Sequence, residues 1–246
     1  MTLQPGTRAS GRSLVVMEFT NEVPPRSFAG LVPVELSESQ LVVDPLALPG
    51  TEGKVFEFAE QVEFWAARIK HTAGIPLAVL AYCSAASLAQ GIVAALGDSK
   101  VPLILFDPEY PGRQAPQSLF RDLVYSTGGM ASTEALPDLT DLSTNEALRR
   151  AGSFLAGLIE RNAPDLDRTI AEELITGQRA WLSFVLSTVS APLGMPCPDH
   201  VFLSDSGTWE AGRGSVVHCV GGSSTELFRS RTVAAELSEV LGVGVA

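Results

Sequence analysis

Covalent catalysis needs a nucleophile, a base to take its proton and a group to orient the base. Few residues of this chain could fill those roles: its cysteines are Cys83, Cys197 and Cys219, and its histidines are His71, His200 and His218. Cys83 lies in Leu77-Ala-Val-Leu-Ala-Tyr-Cys-Ser-Ala-Ala-Ser-Leu-Ala, an apolar run that gives way abruptly to small residues. That pattern predicts a strand turning sharply into a helix, with Cys83 at the apex. Such a turn needs small side chains two before and two after its apex, and Ala81 and Ala85 meet the requirement. It would expose the sulfur at a helix N-terminus, with the Ser84 amide aimed at the same space, a setting that favours a thiolate and can hold an oxyanion. On this basis Cys83 should react with alkylating agents before Cys197 and Cys219. The plainer alternative is a cysteine that serves only as a small apolar side chain, which is how Cys197 and Cys219 read.

The candidate carboxylates and imidazoles follow other apolar runs. Asp107 ends Leu103-Ile-Leu-Phe, where it can face a ligand or simply begin a turn with Pro108. Asp205 has the same two readings before Gly207. His218 lies within Ser215-Val-Val-His-Cys-Val. If the strand ended at Val217, His218 could serve as the base; otherwise it is a packed histidine bonded to a neighbour. His71 and His200 precede strands, which puts them at the opposite end of a parallel sheet. The loop Gly221 to Ser224 can bind an anion through its amides or merely connect two elements. Gly50-Thr-Glu-Gly-Lys54 lacks phosphate-loop spacing, and no metal-ligand cluster is apparent.

The elements that must position these residues alternate in type. Short β-type runs occur at Leu14 to Met17 and at 41–43, 77–81, 103–106, 201–203 and 215–220, and Leu31 to Leu36, with Pro33 inside it, reads as a weaker strand or a turn segment. Between them Val55, Phe58, Ala59, Val62, Trp65, Ala66 and Ile69 recur at helical spacing, as do residues over 85–96 and the terminal Val233, Ala234, Leu237, Val240 and Leu241. Continuous apolar strands separated by helices predict a mainly parallel α/β sheet covered on both faces. Ligands then sit beyond the carboxyl ends of the strands, where Thr20, Asn21, Cys83, Asp107 and the 221–224 loop fall. Residues 112 to 197 hold only helical patterns, at 117–125, 145–161 and 166–189, and predict a cap insert. Residues 1–12 read as a loose tail before one domain over 13–246.

Composition narrows the partners. With 28 acidic against 17 basic side chains, a net charge of −11, the chain offers no basic stripe for nucleic acid and little attraction for an anionic membrane. Residues 72–97 carry no charge, yet Pro76 and the polar Ser84, Ser87 and Gln90 fit strand, turn and helix better than a membrane span. An odd cysteine count without C-x-x-C spacing, and no apolar core in Met1 to Arg12, predict a reduced, cytoplasmic setting.

Taken together, these segments resemble the α/β-hydrolase thioesterases of nonribosomal peptide and polyketide biosynthesis over most of residues 13 to 246. The likeness lies in A-L-P-G (47–50), V-L-A-Y-C-S-A-A (79–86) at the family's G-x-S-x-G elbow, L-I-L-F-D-P-E-Y-P (103–111), Trp209, and the terminal L-F-R-S-R-T-V-A-A-E-L (227–237). The resemblance implies Cys83 as nucleophile and Asp107 as the acid. The Ser84 amide, with an amide near Thr20 or Asn21, would form the oxyanion site. It also implies an acyl or peptidyl carrier protein as partner, an acyl thioester on its phosphopantetheine arm as substrate, and no other cofactor. Two departures stand out: alanine replaces both elbow glycines, and Ser224 occupies the place of the family's histidine. Three outcomes therefore stay open: an acyl-thioester hydrolase, a transferase or cyclase that uses the substrate's own amine as base, and a degenerate relative that only binds an acyl chain or a carrier.

Overall fold

The structure, a computed structural model, describes residues 13–20, 26–47, 56–97, 100–127, 136–140, 142–192, 194–210 and 214–243. The tail 1–12, Asn21, residues 48–50 of A-L-P-G, the segment Gly50 to Lys54 and Val55 lie outside these residues.

Six strands form one sheet: β1 (Leu14–Met17), β2 (Gln40–Val43), β3 (Ala78–Tyr82), β4 (Leu103–Phe106), β5 (His200–Leu203) and β6 (Val216–Cys219), in the order β2-β1-β3-β4-β5-β6. Every pairing is parallel, with Tyr82 opposite Phe106, Phe106 opposite Phe202, and Phe202 opposite His218. Strands β1, β3 and β4 are buried throughout, as continuous apolar runs require when helices cover both faces. The edge strand β6 is more open.

The helices are α1 (Val34–Ser37), α2 (Phe58–Ala73), α3 (Ala86–Leu96), α4 (Ala115–Ser126), α5 (Thr144–Asn162), α6 (Arg168–Thr188), α7 (Ser224–Leu227) and α8 (Arg231–Val240). Helix α2 begins with a reciprocal capping box between Glu57 and Glu60 and stops at Gly74, whose φ of 68° suits glycine. Its buried face differs from the expected stripe in one respect. Ala59 is exposed, and Gln61 is buried instead, donating to Ser187 Oγ at 2.6 Å and so tying α2 to α6.

The weak strand or turn expected over 31–36 is no strand: a 3-10 turn at Phe28–Gly30 runs into a turn at Leu31 and Val32, and α1 follows with Pro33 at its N-cap. Proline has no amide to give a ladder but suits the start of a helix. Glu18 holds this turn by accepting from the Phe28 amide at 2.6 Å. Helices α4, α5 and α6 enclose their own apolar cluster, which includes Phe120, Val124, Leu148, Leu155 and Leu182, separate from the sheet core. Among the described residues no helix is long and apolar enough to cross a membrane.

Candidate active site

Cys83 stands at a sharp strand-to-helix turn. Its φ is 52°, a left-handed conformation rare for a residue with a side chain. A 3-10 turn over Cys83–Ala85 then leads into α3. The turn is seated on aromatic packing: the Tyr82 ring meets Phe228 edge-on at 5.1 Å, and the Arg26 guanidinium both lies over that ring and donates to the Tyr82 hydroxyl. Ala81 and Ala85 are fully buried, leaving no room for larger neighbours beside the apex.

Asp107, at the end of the adjacent strand, is the other non-glycine residue among those described with positive φ, at 40°. It is 8% exposed, and its Oδ1 accepts from the Ser204 amide at 2.8 Å. Gly207 allows this approach, because a β-carbon there would lie 2.3 Å from Oδ1. Oδ2 is buried and has no hydrogen-bond partner among the described residues. Asp205 in turn links this loop to the next: its amide donates to Gly222 O at 2.9 Å, and its carboxylate accepts from the Gly222 amide at 2.8 Å. Cys83, Asp107 and the 221–224 loop therefore share the carboxyl end of the sheet. Ser224 begins the short helix α7, capped by Ser223 with Glu226.

The chemistry at the sulfur differs from the expected thiolate. The Ser84 amide and hydroxyl both point at Sγ and favour its charged form, but burial and the neighbouring Glu109 carboxylate outweigh them and push the thiol up to about 12. Glu109 is held there by its own amide, which donates to Cys83 O at 3.1 Å. The N-terminus expected to promote ionisation begins only a short 3-10 turn, and a carboxylate against the sulfur opposes it. Cys83 is also the least exposed of the three thiols, so the exposed sulfur on which its early alkylation depended is not what the turn presents.

No imidazole reaches Cys83. His71 lies in the last turn of α2. His218 was a candidate base provided that the strand ended before it, but β6 continues through Cys219 and pairs His218 with Phe202. Its ring stacks on Phe202 at 4.3 Å, just as Phe202 stacks on Phe106 at 4.8 Å, so it extends an aromatic row across the sheet. Nδ1 lies 2.9 Å from Glu236 Oε2, and Nε2 lies 3.1 Å from Nδ1 of His200. Burial and the His218 ring hold His200 below the ordinary imidazole value. Three strand spacings separate His218 from Tyr82, roughly 14 Å at ~4.8 Å each. The Thr20 hydroxyl is likewise engaged, donating to Asp44 beyond β2.

Above the elbow lies a cleft of about 860 Å³. Cys83 and Ser84 form part of its lining, with Glu109, Tyr110 and Trp209, Leu119 from α4, and Trp181 and Val185 from α6. The Tyr110 and Trp209 rings are 5.9 Å apart. The patterns that mark Cys83 and Asp107 in the sequence do not mark Glu109 or Trp181 as site residues. A charged residue within the Asp-Pro-Glu-Tyr-Pro loop pointed to the first, whereas nothing local marked a tryptophan in the middle of a long cap helix.

No family model and no curated protein matches the chain. Solved structures do share its architecture. The NocB thioesterase domain, in covalent complex with a fluorophosphonate nocardicin G analog, aligns with a TM-score of 0.50 at 16% identity, over 95% of this chain and 96% of that one. An acetylester hydrolase from Corynebacterium glutamicum aligns with a TM-score of 0.54 at 11% identity, over 95% and 86%. MGS-M2, an α/β hydrolase from a deep-sea metagenome library, gives 0.51 at 9% identity, over 98% and 93%. The protein has an α/β-hydrolase fold. It is the fold on which thioesterase domains and ester hydrolases are both built.

Proposed function

We propose that this protein binds an acyl or peptidyl chain, delivered as a thioester on the phosphopantetheine arm of a carrier protein, and holds it in the cleft over Cys83 without hydrolysing it at an enzymic rate. One observation carries this reading: the elbow and its cleft are intact, yet all three histidines of the chain lie elsewhere. A thiol pushed up to about 12 is almost wholly protonated at neutral pH, and thioester attack needs the thiolate. Aromatic walls and a nearby hydrogen-bonding turn still suit an acyl chain and its carbonyl.

A second reading is favoured by the left-handed backbone at both Cys83 and Asp107: Sγ attacks the thioester carbonyl, an amine of the substrate chain relays the thiol proton to the departing pantetheine thiolate, and the free amine then attacks the acyl-cysteine to form an amide and return the thiol. Strain of about 1–3 kcal/mol at each such residue tends to persist where a site uses it. Incubation with acyl-pantetheine thioesters, followed by intact-mass analysis and calorimetry, separates the two. Saturable binding without an adduct at pH 7 supports the binding protein. A stoichiometric adduct at pH 7 that disappears in Cys83→Ala supports the transferase, and no binding of any acyl-pantetheine overturns both.

A further inference from the structure

A second cavity, about 850 Å³, also lies along α6. Its apolar lining comes from Leu46 and Phe56 beyond β2 and from Gly177, Ala180 and Phe184 of α6, and polar side chains, among them Asp44, Glu172, Glu173 and Arg179, complete it. Along α6 the side chains divide by helical spacing: 177, 180 and 184 face this cavity, while Val185 faces the cleft over Cys83. Trp181 is the one described residue that lines both. Its indole packs on Phe19, just past β1, with ring centroids 4.5 Å apart, and meets Phe184 edge-on at 6.4 Å.

We infer that Trp181 is the partition that sets the length of acyl chain the cleft accepts, and that the second cavity is the space a longer apolar chain enters once the indole is removed. The inference rests on the reading of the cleft as an acyl site. A chain whose carbonyl lies at Cys83 runs along the face of α6 that carries Val185 and meets the indole next. Beyond the indole, Leu46, Phe56 and Phe184 offer apolar surface to further methylenes. Each methylene buried there is worth about fourfold in affinity, and each one stopped at the indole gains nothing.

Calorimetry with non-hydrolysable pantetheine amides of butyrate, octanoate and dodecanoate tests this. In the native protein the octanoyl and dodecanoyl probes should bind within about threefold of each other. In Trp181→Ala the dodecanoyl probe should bind at least tenfold tighter than the octanoyl one, and Trp181→Leu, which keeps an apolar contact for Phe19, should show a smaller change of the same sign. Filling the second cavity should remove the gain: a β-carbon added at Gly177 meets nothing within 4 Å, so Gly177→Phe on the Trp181→Ala background has room to project into it. A native chain-length profile in both Trp181 variants, or a gain that survives Gly177→Phe, overturns the partition while leaving the acyl site standing. Failure of even the butyryl amide to bind the native protein overturns the acyl site and the partition with it.

Discussion

The turn at Cys83 and the edge strand β6 each hold part of what a hydrolytic site needs. At the turn, a thiol sits over a cleft with amide and hydroxyl donors from Ser84, and its ionisable neighbour is the carboxylate of Glu109. At β6, an imidazole lies between a carboxylate and a second imidazole, the arrangement that orients a general base, but it is stacked into an aromatic row three strands away. The difference shows what a base contributes beyond accepting a proton. An imidazole that takes the thiol proton becomes a cation and stabilises the thiolate, whereas a carboxylate in its place repels the thiolate and holds the proton on sulfur.

Bringing an imidazole to the turn should abolish the contrast, with the largest effect expected here. Ser224 begins α7 in the loop that Asp205 ties to the Asp107 loop, and Asp107 Oδ2 has no described partner. Ser224→His should raise hydrolysis of an acyl-pantetheine by about 10³-fold over the native protein, within the range a positioned general base supplies. The gain should vanish when Cys83→Ala or Asp107→Asn is added. Hydrolysis unchanged by Ser224→His would show that the loop cannot deliver a ring to the sulfur.

Stability at high pH reads the same thiol without any substrate. The unfolded thiol ionises near 9.0, while the folded one holds its proton to about 12. Between those values the folded state binds more protons, so stability is full below pH 9 and falls as pH rises toward 12, by up to about 4 kcal/mol for a shift of this size. Urea melts at pH 8 and 10.5 should show this extra loss in the native protein relative to Cys83→Ala. Parallel pH profiles would mean that the thiol is not buried against a charge.

His218→Ala tests the other region. It removes the ring stacked on Phe202 and leaves Glu236 and His200 without their shared partner. A loss of about 2 kcal/mol in denaturant unfolding is expected from the unsatisfied groups and lost packing. Binding of acyl-pantetheine in the cleft should not change. Impaired binding in a folded His218→Ala protein would contradict the separation of the two regions.

How much of this could be read from sequence depends on whether the signal was local. Strands β1, β3 and β4 announce themselves because burial on both faces demands unbroken apolar runs, and the turn at Cys83 does so because only small residues fit around it. The 31–36 segment reads as strand or turn because valine and leucine suggest the one and Pro33 the other, whereas Pro33 caps the start of a short helix. The state of the thiol was not legible at all. The N-terminal amides that favour its charge are local to Cys83, but the carboxylate that opposes it arrives from the loop after the next strand, and burial depends on the whole fold. His218 could be placed only by the register of β6 against β5, which a short run of valines does not specify.

The smallest expected effect isolates Glu109. Burial is the larger cause of the raised thiol and the carboxylate the next, so Glu109→Gln should bring the thiol down from about 12 but leave it above the ordinary 9.0. Below its pKa, each unit by which the pKa falls raises the thiolate fraction tenfold. Alkylation of Cys83 by iodoacetamide at pH 8 should therefore quicken by about tenfold in Glu109→Gln, while Cys197 and Cys219 in the same sample react unchanged and serve as internal references. Because Gln keeps the backbone amide that bonds Cys83 O, the turn itself should not open. Quenching at intervals, digesting and measuring the masses of the peptides that carry each cysteine gives all three rates at once. An equal acceleration at all three thiols would indicate unfolding rather than charge, and no acceleration at Cys83 would leave burial alone to account for its inertness.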